Sequence, residues 1–215
     1  MYLNKGEIYF MQRVFDITVS LILLMLLSPI FFILAVIIKL DSKGPIFFTQ
    51  MRIGRDNKLF KFYKFRTMMV GTPNVATEKL KDSKNYVTRS GKILRKTSLD
   101  ELPQLINIFK GDMAFIGPRP ALYNQYELKK MRTKAGVHKL LPGLTGWAQV
   151  NGRDMLNDEM KTAYDKYYLE NKSLKFDFKI LVRTVFRVLR CDGVVDGGMK
   201  REIEKSAQEV AAGKE

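Results

Sequence analysis

One uninterrupted apolar stretch, Ile17-Thr-Val-Ser-Leu-Ile-Leu-Leu-Met-Leu-Leu-Ser-Pro-Ile-Phe-Phe-Ile-Leu-Ala-Val-Ile-Ile38, decides the architecture of this chain. Coiled as an α-helix, it would be roughly 33 Å long, which is enough to cross the hydrocarbon core of a bilayer. It is too long for the apolar part of a signal peptide, and no small-residue cleavage site follows it before Lys39 and Asp41. The sequence therefore predicts an N-terminal helix that stays in the protein and associates with a membrane.

A serine and a proline interrupt the middle of this stretch. Pro29 removes one helical hydrogen bond and its ring clashes with the carbonyl of Met25, so a kink is expected, and the hydroxyl of Ser28 can bond to a freed carbonyl. Basic residues flank both ends: Lys5 and Arg13 before the stretch, and Lys39, Lys43, Arg52 and Arg55 after it. Because basic flanks stay in the cytoplasm, they favour a re-entrant hairpin that enters and leaves on one face; a kinked helix that crosses the membrane remains open.

Composition limits the chemistry to a few classes. The formal charge of +15 over 215 residues attracts anions, which include nucleic acid, anionic lipid headgroups and phosphorylated small molecules. Cys191 is the only cysteine and His138 the only histidine. Intrachain disulfides, zinc-finger sites and metal sites built on paired histidines are therefore excluded, and the compartment is expected to be reducing.

The residues after the apolar stretch predict one small soluble domain of mixed secondary structure. Residues 46–50 and 59–66 have the pattern of two short strands joined by a turn at Gly54. Helical periodicity is present in residues 99–109 and 123–134. The predicted fold class is α+β and rich in helices, with a short β-hairpin.

The last helical segment, residues 174–189, is amphipathic, with apolar residues on one face and lysines and arginines gathered away from them. Such a helix can lie on an anionic membrane, but a helix packed on the core with a solvated charged face is an equally open interpretation. The predicted domain organisation is a membrane-associated re-entrant helix in residues 1–44, a cytoplasmic catalytic domain in residues 45–196 and a charged tail in residues 197–215.

Adjacent carboxylates mark one candidate site, in Ser98-Leu-Asp-Glu101. Ser98 and Glu101 fit a capping box, which would give Glu101 a purely structural role. Asp100 needs no capping role. Two carboxylates at a helix start, close to Arg95, could instead hold a magnesium ion that neutralises a diphosphate, and a carboxylate is also a candidate covalent nucleophile.

Two further motifs present arginines. Pro118 and Pro120 restrict the backbone on both sides of Arg119, and a rigidly presented guanidinium suits bidentate binding of phosphate. The segment from Pro142 to Arg153 combines turns, a second arginine and the only tryptophan, Trp147, which indicates either a ligand loop or an interfacial tryptophan.

Taken together, these motifs resemble the bacterial sugar transferases called monotopic phosphoglycosyl transferases, in their small single-domain form. The resemblance runs from about Arg13 to Val194. Its carriers are Arg13-Val-Phe-Asp16, Ser28-Pro29, Tyr63-Lys-Phe-Arg-Thr-Met68, Ser98-Leu-Asp-Glu-Leu-Pro-Gln-Leu105, Gly111-Asp-Met113, Gly117-Pro-Arg-Pro120 and Pro142-Gly-Leu-Thr-Gly-Trp-Ala-Gln-Val-Asn-Gly-Arg153.

The resemblance implies an enzyme of the bacterial cytoplasmic membrane, with a re-entrant helix broken at Ser28-Pro29. It would move a phosphosugar from a nucleotide sugar, with UDP as the expected nucleotide, to polyprenyl phosphate in the first membrane step of surface glycan synthesis. Asp100 would be the nucleophile and Glu101 would hold Mg²⁺. The residues expected to contact phosphates are Lys64, Arg66, Arg95, Arg119 and Arg153.

Two other functions remain open at this stage. A glycosyltransferase that moves no phosphate is disfavoured because the chain lacks an Asp-x-Asp metal pair and a Gly-x-Gly-x-x-Gly loop. A membrane-tethered binder of anionic lipid or nucleic acid would explain the charge but not a carboxylate pair beside rigid arginines. We therefore expect an anionic phospholipid bilayer and no nucleic acid among the partners, and leave a homodimer open.

Overall fold

The computed structural model describes residues 5–73, 83–152 and 155–189. Two sequence-based predictions concern residues outside these ranges: the phosphate contact of Arg153 and the charged tail of residues 197–215. Cys191 also lies outside them. The described chain is a helix-rich α+β fold, as predicted.

The apolar N-terminal stretch forms two consecutive helices with a break between them. Helix α1 covers Lys5–Leu26 and helix α2 covers Ser28–Asp41, so the helical assignment is interrupted at Leu27. The hydroxyl of Ser28 donates to the carbonyl of Met25 at 2.8 Å, which is the group that the ring of Pro29 displaces. The predicted break and the predicted role of the serine hydroxyl are both confirmed.

By length and composition, helix α1 is apolar enough to cross a membrane. The window Tyr9–Leu26 has 18 residues, and only 11% of it is buried inside the protein. Among the described residues it is the one helix that meets both criteria. A core helix of a soluble protein would instead be mostly buried.

The predicted β-hairpin is confirmed. Strand β1 (Phe47–Ile53) pairs antiparallel with strand β2 (Leu59–Phe65), in a register that places Phe48 opposite Lys64 and Ile53 opposite Leu59. The short strand β4 (Ala121–Leu122) extends this sheet on the other side of β1. A second, parallel pair joins β3 (Ala114–Ile116) to β5 (Gly143–Thr145). The sequence did not predict β3, β4 or β5.

Helices surround these strands on most sides. Their bounds are α3 (Ser83–Tyr86), α4 (Arg89–Lys96), α5 (Gln104–Lys110), α6 (Tyr126–Lys134), α7 (Trp147–Val150), α8 (Asp158–Asn171) and α9 (Leu174–Leu189). Residues 99–109, predicted as one helix, divide into a 3₁₀ turn at Leu99–Glu101 and helix α5. Gly111 ends α5 in the left-handed conformation, at φ 93°, as glycine commonly does.

Both N-terminal helices pack on the rest of the protein. Val19, Leu23 and Leu27 join the main apolar core, while Leu34 and Ile38 of α2 form a second cluster with Phe65 and Leu94. Polar contacts fix α1 as well. The guanidinium of Arg13 donates to the carbonyls of Ile108 and Phe109 at the end of α5, at 2.6 and 2.8 Å, and the amide of Phe115 donates to Asp16 at 3.1 Å.

Helix α9 has two apolar faces rather than one. Ile180 is fully buried in the main core and Leu181 packs against the same cluster. Phe178, Val185 and Phe186 are exposed. The core-packed interpretation is therefore correct for one face, and an exposed apolar face remains that is suitable for a lipid surface.

Candidate active site

The adjacent carboxylates lie in the 3₁₀ turn between α4 and α5. Both are buried, Asp100 to 5% exposure and Glu101 to 8%. The predicted capping box is wrong: Ser98 makes no capping hydrogen bond through its side chain. Ser98 has a left-handed backbone, at φ 57°, and only its carbonyl bonds to the amide of Glu101, at 3.1 Å.

Lys64 links the two carboxylates. Its ammonium donates to Asp100 Oδ2 at 3.1 Å and to Glu101 Oε1 at 2.8 Å. Strand β2 presents this lysine toward the turn, and all three side chains are largely buried. Lys64 thus brings one positive charge to both carboxylates, and its predicted contact with a phosphate stays a prediction.

Arg119 reaches the same pair from the segment between β3 and β4. Its Nη2 lies 3.4 Å from Glu101 Oε1, which is a long hydrogen bond. The parallel pair β3–β5 brings the segment from Gly117 to Pro120 against the residues around Gly143. A Cβ added to Gly143 would lie 2.1 Å from the amide nitrogen of Gly117, so only glycine allows this approach. Two motifs that are distant in sequence thus lie together on one side of the carboxylate pair.

A third basic side chain, Arg52 of β1, was not predicted as part of the site. Its Nη1 donates to the carbonyl of Pro120 at 3.0 Å, and its guanidinium lies 5.1 Å from the ring centre of Phe62. Burial and the charge of Arg119 together lower the pKa of Arg52 to about 9, against the opposing charge of Glu101. Arg52 therefore stays charged at neutral pH, close to both of these residues. Only the pairing of β1 with β4, which has no local sequence signal, could have revealed it.

Arg95 lies near the end of helix α4, three residues before Ser98 and the carboxylate turn. Its Nη1 is buried and has no hydrogen-bond partner among the described residues. A buried guanidinium nitrogen without a partner is costly, and an anion brought by a ligand would satisfy it. This feature is compatible with the predicted phosphate contact of Arg95, which stays a prediction.

The described hydrogen bonds of Arg66 lie at the end of α2 rather than at the carboxylates, and its predicted phosphate contact stays a prediction. Arg66 is 4% exposed and donates to the carbonyls of Ser42, Lys43 and Ile38 at 2.6, 3.1 and 3.3 Å. Strand β2 ends at Phe65, so the backbone no longer holds Arg66 on the face that carries Lys64. Its guanidinium instead satisfies carbonyls at and after the end of α2.

Trp147 packs within the protein. Its ring stacks on Tyr167 with 6.2 Å between centroids, meets Phe176 edge-on at 4.9 Å, and lies under the guanidinium of Arg183 at 4.9 Å. Arg183 also donates to Asn151 at 3.3 Å. The tryptophan thus fixes helix α7 against α8 and α9, and with it the chain that leads toward Arg153.

The carboxylate pair fits a magnesium site of a particular kind. No group of three or more histidine, cysteine, aspartate or glutamate side chains in the described parts of the chain could form an all-protein metal site. Magnesium is usually held by one or two carboxylates together with substrate phosphates and water. Asp100 and Glu101 supply such a donor set, and the nearby cations would receive the phosphates.

Comparison with known proteins identifies the family. Residues 8–191 match the family model described as bacterial sugar transferase. The chain belongs to that family. The "Uncharacterized sugar transferase EpsL" of Bacillus subtilis (strain 168) is 39% identical over 184 residues, which cover 86% of this chain and 90% of that protein.

Two other bacterial sugar transferases of similar identity have names that state a reaction. The "UDP-N-acetylgalactosamine-undecaprenyl-phosphate N-acetylgalactosaminephosphotransferase" of Aeromonas hydrophila is 38% identical, over 84% of this chain and 44% of that protein. The "UDP-glucose:undecaprenyl-phosphate glucose-1-phosphate transferase" of Escherichia coli (strain K12) is 39% identical, over 82% of this chain and 40% of that protein. The chain thus spans less than half of each of these two relatives. Family membership makes this protein a transferase, which disfavours a purely binding function.

Proposed function

We propose that this sugar transferase moves a phosphosugar from a UDP-sugar to undecaprenyl phosphate, through a covalent phosphosugar intermediate on Asp100. The product would be the first membrane-linked intermediate of a surface glycan. The observation that carries the proposal is the buried pair Asp100 and Glu101, which lies in contact with Lys64 and Arg119. Relatives whose names state transfer of a sugar phosphate to undecaprenyl phosphate support the reaction class.

In the first half-reaction, an oxygen of the Asp100 carboxylate attacks the phosphorus that carries the sugar. The bond between that phosphorus and the bridging oxygen of the diphosphate breaks, and the nucleoside monophosphate leaves with the bonding electron pair. Lys64 donates to Asp100 and would orient its carboxylate for the attack. Arg119, and Arg95 through its unpartnered Nη1, would bind the phosphate oxygens that gain charge in the transition state.

In the second half-reaction, a phosphate oxygen of polyprenyl phosphate attacks the same phosphorus. The acyl phosphate bond to Asp100 breaks, the carboxylate is regenerated, and the sugar leaves on a polyprenyl diphosphate. Glu101, with Asp100 beside it, would hold Mg²⁺, which supplies charge neutralisation for the diphosphate when bound. Arg153 would contribute another phosphate contact.

The N-terminal helices would form a re-entrant anchor in the cytoplasmic membrane. Both flanks of the apolar centre bind the same domain: Arg13 and Asp16 contact α5 and β3 before it, and Asp41 accepts from the amide of Ser90 at 2.9 Å after it. One domain cannot lie on two sides of a bilayer. The break at Leu27 and the exposed apolar surfaces of α1 and α2 are consistent with shallow entry and return.

The overall reaction can be tested with the purified enzyme in detergent, magnesium, undecaprenyl phosphate and a panel of UDP-sugars. We expect one sugar to give equal amounts of UMP and undecaprenyl diphosphate sugar, and EDTA to stop both. Release of UDP rather than UMP would contradict the proposal, because it would mean transfer of a sugar without its phosphate. The Asp100→Asn variant is the matched control.

A further inference from the structure

The carbonyls of Pro118, Arg119 and Pro120 are all held by donors from other elements. The amide of Gly143 in β5 donates to Pro118 at 2.8 Å. Arg132 of α6 donates through Nη1 to the carbonyl of Arg119 at 2.8 Å, and Arg52 of β1 donates to that of Pro120 at 3.0 Å. Three consecutive residues thus have their backbone fixed from three directions.

Arg132 is itself fixed by a buried ion pair. Its Nη2 lies 2.6 Å from Asp165 Oδ2 of helix α8, and the two residues are 9% and 1% exposed. Burial raises the pKa of Asp165, and the charge and hydrogen bond of Arg132 lower it. Such a pair contributes little to stability compared with apolar residues of the same volume. The ion pair orients the guanidinium of Arg132 so that its other terminal nitrogen, Nη1, donates to the carbonyl of Arg119.

Arg52 is half-buried and makes no ion pair to a carboxylate among the described residues. Its Nε has no hydrogen-bond partner there, and the nearby charge of Arg119 repels it. A residue placed only for stability would not be a guanidinium under these conditions. Its one described hydrogen bond through Nη1 ends on Pro120, one residue from the side chain that reaches Glu101.

We infer that Arg52 and the ion pair Arg132–Asp165 are positioning residues for Arg119. None of these three side chains would touch a reacting atom in the proposed reaction. They hold the backbone of Pro118, Arg119 and Pro120 so that the Arg119 guanidinium stays beside Glu101, where a phosphate would arrive. The inference rests on the proposed function of Arg119 as a phosphate ligand. A displacement of about 1 Å at such a group can cost about 100-fold in rate.

The test separates positioning from stability by replacing the buried charges with apolar residues. Arg52→Met and the paired replacement Arg132→Met with Asp165→Leu remove the donors and leave no unpaired buried charge. We expect each to keep the melting temperature of the wild type, or to raise it, while kcat/KM for the nucleotide sugar falls about 10- to 100-fold. A fall in melting temperature with unchanged kcat/KM would assign these residues a structural role and overturn the inference.

A double-mutant cycle with Arg119→Ala shows whether the effect passes through Arg119. In that background we expect Arg52→Met and the paired replacement to change kcat/KM by less than about 3-fold. Arg66→Met is the matched control, because Arg66 is likewise an arginine that donates to backbone carbonyls, but at the end of α2. Arg66→Met should change kcat/KM by the same factor in the wild type and in the Arg119→Ala variant.

The outcomes distinguish the two proposals. If Arg119→Ala alone retains wild-type kcat/KM, the phosphate-binding role of Arg119 fails and the positioning role fails with it. If Arg119→Ala is impaired but Arg52→Met lowers kcat/KM by the same factor in both backgrounds, only the positioning role is overturned. Where a variant's turnover is too slow to measure, its affinity for the UDP-sugar, determined by calorimetry in the presence of magnesium, is used in the same double-mutant cycle.

Discussion

At the scale of single residues, the site depends on one lysine that forms hydrogen bonds to two carboxylates. Asp100 and Glu101 adjoin in sequence and are both buried, so each needs hydrogen-bond partners inside the protein. Lys64 contacts both and Arg119 contacts one. Two carboxylates that differ in their partners can divide a reaction, with one attacking and the other binding metal.

The geometry of Arg119 gives a prediction about charge and shape. Arg119→Lys keeps the charge but loses the planar fork that binds two phosphate oxygens, so we expect kcat/KM for the nucleotide sugar to fall about 100-fold. Steady-state release of UMP measures this. Arg55→Lys is the matched control, since the side chain of Arg55 is 56% exposed and forms a long ion pair with Asp56. An Arg119→Lys enzyme as active as the wild type would make Arg119 a structural residue.

At the scale of elements, local and long-range features differ in how well the sequence predicts them. The hairpin β1–β2 and the break at Ser28 were predictable, because alternation and proline act within a few residues. Strands β3, β4 and β5 contain two or three residues each and pair with partners far away in sequence. Nothing local indicates them, and the position of Arg52 in the site depends on one of them.

The broken N-terminal helix gives a second prediction, about topology. Pro29→Ala restores the lost hydrogen bond and removes the ring, so a straighter helix should leave part of the molecules in a crossing orientation. The measurement is labelling of an N-terminal tag in intact cells, with Lys43→Cys in a Cys191→Ser background as a second reporter. In the unmodified helix we expect both reporters to react from the cytoplasmic side only.

The reporters also show what would contradict this topology. If an N-terminal tag on the chain with Pro29 were labelled from outside the cell, the helix would cross the membrane, and the re-entrant proposal would be wrong. Ser28→Ala is a matched control. It removes the 2.8 Å bond to Met25 but leaves the proline, so both reporters should keep their cytoplasmic reactivity.

At the scale of the whole molecule, one polar cluster joins the N-terminal helix to the last two helices. Lys172, between α8 and α9, donates to Gln12 of α1 and lies 4.0 Å from the ring centre of Tyr9. Tyr168 donates to Asp177 at 2.7 Å in the same region. The motifs of the sequence indicated the carboxylate site, but burial of Lys172, Arg132 and Asp165 follows from packing between distant helices and could not be predicted.

The polar cluster gives a third prediction, about pH. Burial lowers the pKa of Lys172 to about 8, against an opposing influence of Asp177 and Asp16. The unfolded chain keeps this proton up to about pH 10.5, so between pH 8 and 10 the unfolded state binds more protons. The cost of burying a charged Lys172 therefore falls, and stability rises, as pH rises. The gain is at most about 3 kcal/mol.

Lys172→Met removes that titration. Unfolding in detergent, followed by circular dichroism at pH 7, 8, 9 and 10, should show the wild type gaining stability relative to Lys172→Met across this range. Lys166→Met is the matched control, because Lys166 is an exposed lysine of α8 whose replacement should shift stability by the same amount at every pH. A constant difference between the wild type and Lys172→Met from pH 7 to 10 would refute the shifted pKa.

The central claim is that Asp100 becomes covalently linked to a phosphosugar, and a single-turnover experiment without lipid acceptor tests it most directly. Wild-type enzyme with magnesium and its UDP-sugar should release up to one UMP per enzyme, and peptide mass spectrometry should place the phosphosugar on Asp100. Asp100→Asn should give neither, whereas Glu101→Gln should form the adduct slowly and respond to added magnesium. A phosphosugar mapped to any other residue, or formed by Asp100→Asn, would contradict the account.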